Sequence, residues 1–245
     1  VFFRSSLYSN YMRMLEFYRF IGIQDASYGI KLTSADGRTE TLQAIPFSES
    51  SLHPLLFLQK VPDTLNPYSL YSAMLLPDPS ALLICYHSCS EMDGYPFSAF
   101  TSDVMSLIRE RGYSRIIIDL RYNGGGDSRV IRPLIDGLKE LKKEKGIEVF
   151  ALIGEGTFSS AILNAEELKH ELGAVLVGRP TGGSASHFGE LKSGQLPNSG
   201  LMFQYSTKYF RWRTEGPLVP DITVEENIKD YSSGIDSDLK ALGVI

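Results

Sequence analysis

The sequence is poor in cysteine, in long apolar runs and in surplus positive charge. Cys85 and Cys89, in CYHSC, are the only two thiols among 245 residues. So few exclude a disulfide-built scaffold. Four apart on a strand, they would share a face but lie roughly 13 Å apart, too far to be bridged. With one histidine between them they are weak as a zinc site, which needs a third and fourth ligand at workable spacing, so they read as packing residues. No run of about 18 apolar residues occurs, and no membrane-spanning helix is expected. Lysine and arginine number 24 against 29 acids, a net charge of -5. With no basic stripe interleaved with aromatics, this argues against a nucleic-acid partner. The opening VFFRSSLYSN lacks the charged, apolar and small-residue order of a signal peptide, and reads as a chain cut from something longer.

What is present fits a folded domain. The length allows one large domain or two small ones. Residues 8–21, YSNYMRMLEFYRFI, have helical apolar spacing. Alternating runs around Asp36-Gly37 predict a hairpin, and residues 46–68 read as a connection. A second hairpin is expected to turn at Pro77-Asp78-Pro79. Beyond it the pattern changes. FSAFTSDVMSLIRERG reads as an amphipathic helix ending at Gly112, and SRIIIDLR as a strand buried on both faces. Helix RVIRPLIDGLKELKKEKG, strand IEVFALIG, helix SSAILNAEELKHELG and strand AVLVG follow. Strand–helix alternation predicts an α/β fold with a parallel sheet. Strand-like GLMFQYSTKYFRW and DITVE and a short helix at DSDLKALG close the chain.

Sites in such sheets lie at the carboxyl ends of strands. Two ends stand out. One carries Asn123-Gly124-Gly125-Gly126, a backbone free to turn and present N–H groups to an anion or oxyanion. It is neither a P-loop, since no Gly-Lys-Ser/Thr follows, nor GxGxxG. The other carries Thr157-Phe158-Ser159-Ser160, where a strand gives way to a helix. Serines there usually cap the helix. The free N–H groups and dipole of a helix start would also favour the charge that develops in acyl transfer. No GxSxG elbow is present, which argues against an α/β-hydrolase. A nucleophilic serine needs a base. His170 sits mid-helix among charges and His53 lies in the irregular segment. His87 follows an apolar strand, and His187 lies in the glycine-rich loop GRPTGGSASHFGE.

IIIDLRYNGGG, GEGTFSSAILNAEELKHELGAVLVGRPTGG and the ending GPLVPDITVEENIKDYSSGIDSDLKAL together resemble the tail-specific (C-terminal processing) serine peptidases, which include the core of the tricorn protease. The resemblance covers roughly residues 70–245. It implies a crotonase-like, Clp-type αβ spiral and hydrolysis of peptides or unfolded proteins through an acyl-enzyme, with no metal or organic cofactor. Residues 1–69 then form a helix-and-hairpin region, the expected remnant of a longer N-terminal part, and 70–245 the catalytic domain. By position, Ser159 is the nucleophile, and the N–H groups of Gly124, Gly125 and Ser160 form the oxyanion hole. Ser160 is also expected to cap the helix. Many members carry a lysine in the GxPTxGK loop; here Ser184 stands in its place. Lys192 is the next lysine and lies on the strand pattern that follows. His187 ranks first as base and His87 second, with Glu190 or Glu215 to orient the imidazole. Without a base, the chain would be an inactive relative that binds peptides. A crotonase-type acyl-thioester enzyme is the other rival. SGLMFQYSTKYFRW offers an edge for strand addition, and no PDZ module is evident. Relatives usually work outside the cytoplasm, so an extracytoplasmic place is implied.

Overall fold

The computed structural model describes residues 29–33, 36–43 and 69–245. The expected helix over 8–21, the connection over 46–68 and His53 lie outside the described residues. The chain divides into two compact units, residues 1–59 and 60–245. In the first, strands β1 (Gly29–Thr33) and β2 (Thr39–Gln43) pair antiparallel around the Asp36-Gly37 turn.

The second unit is an α/β layer structure. β3 (Tyr71–Leu75) and β4 (Ala81–Tyr86) form the expected antiparallel hairpin. Helix α1 (Phe97–Arg111), β5 (Arg115–Asp119), α2 (Arg132–Lys145), β6 (Glu148–Ile153), α3 (Ser160–Leu172) and β7 (Val175–Gly178) then alternate. Strands β8 (His187–Gln195) and β9 (Met202–Phe210) follow, then β10 (Ile222–Thr223), α4 (Ile228–Ser232) and α5 (Ser237–Ala241). The six-stranded sheet runs β10-β7-β6-β5-β4-β3, parallel except at β3.

Strand order and chain order agree from β3 to β7. Crossovers of one hand that advance in one direction leave their helices on one face. That face buries Phe97, Phe100 and Ile108 of α1, Leu134 and Leu138 of α2, and Ala161 and Leu168 of α3 against Ile84, Ile116, Ile118 and Ala151. The opposite face, with Leu83, Ile117, Leu152 and Val177, is covered by Leu239, Leu242 and Val244 of the C-terminal segment. Covered on both faces, β4 is buried throughout and β5 from Ile116 onward, which is why neither alternates in polarity. The three crossover helices stop at Gly112, Gly146 and Gly173, whose N–H groups close the last turns onto Ile108, Lys142 and Leu168 carbonyls.

The two cysteines do not share a face. Cys85 packs with the C-terminal side and Cys89 with the helical side, because the chain leaves the strand after Tyr86. Both thiols are free and buried. His187, expected in a loop, instead opens β8. β8 and β9 form a separate two-stranded ribbon, largely exposed. No helix among the described residues is long and apolar enough to cross a membrane.

Candidate active site

Three loops leave the carboxyl ends of β5, β6 and β7 and dovetail. The β6 loop is anchored by Thr157, whose buried hydroxyl donates to the Leu120 carbonyl at 2.8 Å and accepts from Gly154 N–H. The β7 loop is anchored by Thr181, which accepts from Leu218 N–H at 2.9 Å and donates to the Gly183 carbonyl. The two loops touch at Gly182: a Cβ there would stand 2.1 Å from the Glu155 carbonyl oxygen. Only glycine permits that approach. The threonines recognised in the sequence therefore act as staples that hold the loops.

Ser159 stands at the head of α3 with φ 52 and ψ −125. Apart from Glu190, it is the only non-glycine residue with positive φ among the described residues. Such a conformation costs on the order of 1–3 kcal/mol and persists only where the surroundings impose it. Here they do. Phe158 N–H is held by the Asn123 carbonyl at 3.0 Å, and Ile162 N–H by the Ser159 carbonyl at 2.9 Å. The Ser159 side chain makes no capping hydrogen bond. Nor does Ser160 cap the helix, contrary to expectation: its hydroxyl donates to the Gly126 carbonyl at 2.6 Å and ties α3 to the glycine loop. Ser160 N–H lies in the first turn, where an amide has no intrahelical acceptor.

The glycine loop is rigidly held. Buried Asn123 donates through Nδ2 to the Tyr86 carbonyl, and its Oδ1 accepts from Gly125 N–H, both at 2.9 Å. Cys89 Sγ donates to Asn123 Oδ1 and Asn164 Oδ1, and Cys89 N–H to the Gly125 carbonyl. Gly125 has φ 106, and a Cβ there would come 2.8 Å from Ser159 Cβ. Of the two glycines expected to donate to an oxyanion, Gly125 thus has its N–H engaged. Gly124 N–H has no partner among the described residues.

A cleft of about 730 Å³ opens beside the serine. Ser159, Ser160, Gly126, Leu163, His187 and Glu190 line it, with Arg129, Lys208 and Phe210 at its sides. Topology thus brings His187, 28 residues downstream of Ser159, into the same cleft. The His187 ring lies 5.6 Å from Phe210. Its Nδ1 meets the carbonyl oxygens of Ala185 at 3.0 Å and Ser184 at 3.1 Å. Carbonyl oxygens only accept, so Nδ1 carries the proton, and in the neutral ring Nε2 keeps its lone pair. No hydrogen bond joins Ser159 and His187 in this arrangement.

The other expected residues lie elsewhere. His87 is buried away from this cleft, its Nε2 4.0 Å from Asp119 Oδ2. Glu190 lines the cleft, yet its carboxylate faces Lys208 at 3.4 Å and not the imidazole. Glu215 is exposed and does not line the cleft, nor does Lys192. Ser184 Oγ accepts from Gly216 N–H at 3.1 Å, a tie between two loops. His170 pairs with Glu166 along α3 at 2.9 Å.

Beneath the glycine loop lies a charged cluster that sequence reading did not find. Asp119 ends β5 fully buried. Arg121 uses all five N–H groups, on Asp119 through Nε and one terminal nitrogen, and on Asp236 and Asp238. Burial alone would push the Asp119 carboxyl up, but the Arg121 charge, the nearby His87 ring and the hydrogen bonds from Arg121 hold it well below the usual range. Burial raises Asp238 despite the same guanidinium. The only sequence sign of this cluster is the polar pair Asp119 and Arg121 at the end of an apolar strand.

No protein-family model matches the sequence, and no curated protein matches it. Solved structures do resemble the fold. A “putative peptidase” from Parabacteroides merdae aligns over 93% of this chain and 81% of its own, at 16% identity and TM-score 0.55. Mature CPAF aligns over 88% of this chain at 14% identity and TM-score 0.55, and CPAF complexed with lactacystin over 88% at 13% and 0.54. The chain spans 65% and 66% of those CPAF chains. At such identity the likeness is one of fold.

Proposed function

We propose that the protein is a serine peptidase of the tail-specific type, with Ser159 as nucleophile and His187 as general base. The observation that carries this reading is the pairing in one cleft of a strained serine at a helix start with an imidazole whose Nδ1–H is fixed by carbonyls. That fixation aims the chemistry at Nε2. In the reaction, Ser159 Oγ attacks the peptide carbonyl carbon while its proton passes to Nε2. The oxyanion rests on Ser160 N–H and on the glycine loop, where Gly124 N–H is the remaining donor. Collapse breaks the C–N bond, and the imidazolium gives its proton to the leaving amine. Water, deprotonated by the same nitrogen, then releases the acyl group as a carboxylate. The carbonyls of Ser184 and Ala185 take the orienting place that a carboxylate holds in a triad. The place usually filled by lysine is thus structural here, and the base has moved three residues along the loop. The likeness of fold to the “putative peptidase” from Parabacteroides merdae agrees with this reading, and an extended peptide is the substrate class that suits an open cleft beside exposed strand edges.

The test is cleavage of an unfolded, fluorescence-quenched protein by the wild type, Ser159→Ala and His187→Ala, with folding of all three checked by circular dichroism. Both variants should fall by about 10³-fold or more, the size of losing a catalytic group. Loss in Ser159→Ala alone would place the base elsewhere. No cleavage by any of the three, with peptide binding retained, would make the chain a peptide-binding relative.

A further inference from the structure

We propose that Cys85, His87 and Asp119 form a site for a zinc-type divalent cation, separate from the Ser159 cleft. The three come from adjacent strand ends. Cys85 of β4 lies opposite Asp119 of β5 in the sheet register, and His87 is the first residue past β4. Their ligand atoms all lie within 4.8 Å of one another. Tetrahedral coordination at about 2.0–2.3 Å needs ligand atoms roughly 3.3–3.8 Å apart. Small side-chain rotations close that difference.

The decisive observation is His87. It is 8% exposed, and neither ring nitrogen has a partner within hydrogen-bond distance, although the ring does influence the Asp119 carboxylate. At 4.0 Å from Asp119 Oδ2, Nε2 is too far for a hydrogen bond. A buried polar group left unpaired is costly and rare, and here its nitrogens share a space with a thiol and a carboxylate. Imidazole, thiolate and carboxylate together select zinc or cobalt over magnesium or calcium. The surroundings suit a dication. One guanidinium, Arg121, faces three carboxylates, Asp119, Asp236 and Asp238. Arg121 also orients Asp119 as an outer-shell partner would, leaving Oδ2 with a single strong donor. The Tyr122 ring meets His87 edge-on at 5.8 Å and shields it. Because Asn123 bonds to the Tyr86 carbonyl, the cation would fasten the β4 and β5 ends under the glycine loop. Three protein ligands leave the fourth tetrahedral position to water.

The test is titration of the chelator-treated full chain with cobalt(II). One equivalent should give a near-ultraviolet thiolate-to-cobalt charge-transfer band and visible ligand-field bands, and zinc should displace both. Cys85→Ser should abolish the charge-transfer band. His87→Gln should weaken cobalt binding by more than the about 10- to 100-fold typical of losing an outer-shell partner. Cys89→Ser should leave the spectrum intact, since Cys89 is engaged by Asn123 and Asn164 on the other face. Absence of any charge-transfer band in the folded wild type would overturn the proposal without recourse to variants. So would a band that survives in folded Cys85→Ser.

Discussion

Replacing Arg121 by leucine tests whether the charged cluster supports the platform of the site. The guanidinium is buried and makes five hydrogen bonds to Asp119, Asp236 and Asp238. In the metal-free chain its loss leaves buried carboxylates without that counter-charge. The cost is bounded, because a carboxylate can take up a proton instead. Protonating one group of ordinary pKa 3.8 at pH 7 costs about 1.36 × 3.2, or about 4 kcal/mol, from the free energy per pKa unit. This agrees with the about 3–5 kcal/mol found when a buried pair loses one partner. The second unit runs from Lys60 to Ile245, 245 − 60 + 1 = 186 residues. At about 2.1 cal/mol/K per residue its unfolding entropy is about 0.39 kcal/mol/K, so Tm should fall by about 10 °C. The penalty must also depend on pH. At pH 5 the same sum gives about 1.6 kcal/mol, so a variant that fails to fold at pH 7 should recover towards pH 5. Thermal and urea unfolding at both pH values measure this. A loss below about 1 kcal/mol at pH 7, or one that grows on acidification, would refute the reasoning.

Gly125→Ala should cut peptidase activity by 10-fold or more, at an order-of-magnitude cost of about 1–3 kcal/mol in stability from strain and overpacking. Its new methyl would stand 2.8 Å from Ser159 Cβ, and unchanged kcat/KM would mean that the loop does not position the serine. Glu171, held by Arg132 and Lys139, should link α2 and α3 in a pH-dependent way. The hydrogen bonds from Arg132 and then Lys139 lower its carboxyl to about 2 from 4.5, so its contribution is complete above pH 4.5 and disappears as the pH falls to about 2. Glu171→Gln should therefore lose about 0.5–1 kcal/mol at pH 7, discounted for partial exposure, and match the wild type near pH 2 in urea midpoint; an undiminished difference there would contradict the pairing.

The sheet was legible because its strands are covered on both faces. III of β5 and LLICY of β4 are apolar without alternation, and each helix that follows ends at a glycine. The start of β8 was not legible, although a strand pattern was read around Lys192, because HFGELKSGQ has no buried face to impose a period of two. His187 consequently read as a loop residue. Its tautomer is set by the carbonyls of Ser184 and Ala185, and no side-chain motif records a backbone acceptor. The cysteines were misplaced for a related reason: spacing along a strand fixes a face only while the strand lasts, and β4 ends at Tyr86. The charged cluster was hidden by distance. Arg121 meets Asp236 and Asp238 across 115 and 117 residues, and local pattern carries no information at that range.

The same limit separates the two cysteines in what they do. Cys89 bonds Asn123 and Asn164 and braces the glycine loop beside Ser159. Cys85 faces Asp119, a neighbour supplied by strand pairing. The third ligand missing from CYHSC is thus the acid that ends β5, placed by the sheet register. A motif read within one segment undercounts ligands wherever parallel strands bring their carboxyl ends together. Those ends are also where the fold gathers its loops. The cation site and the serine cleft then share a cause: each is assembled from strand ends that only the crossovers make adjacent.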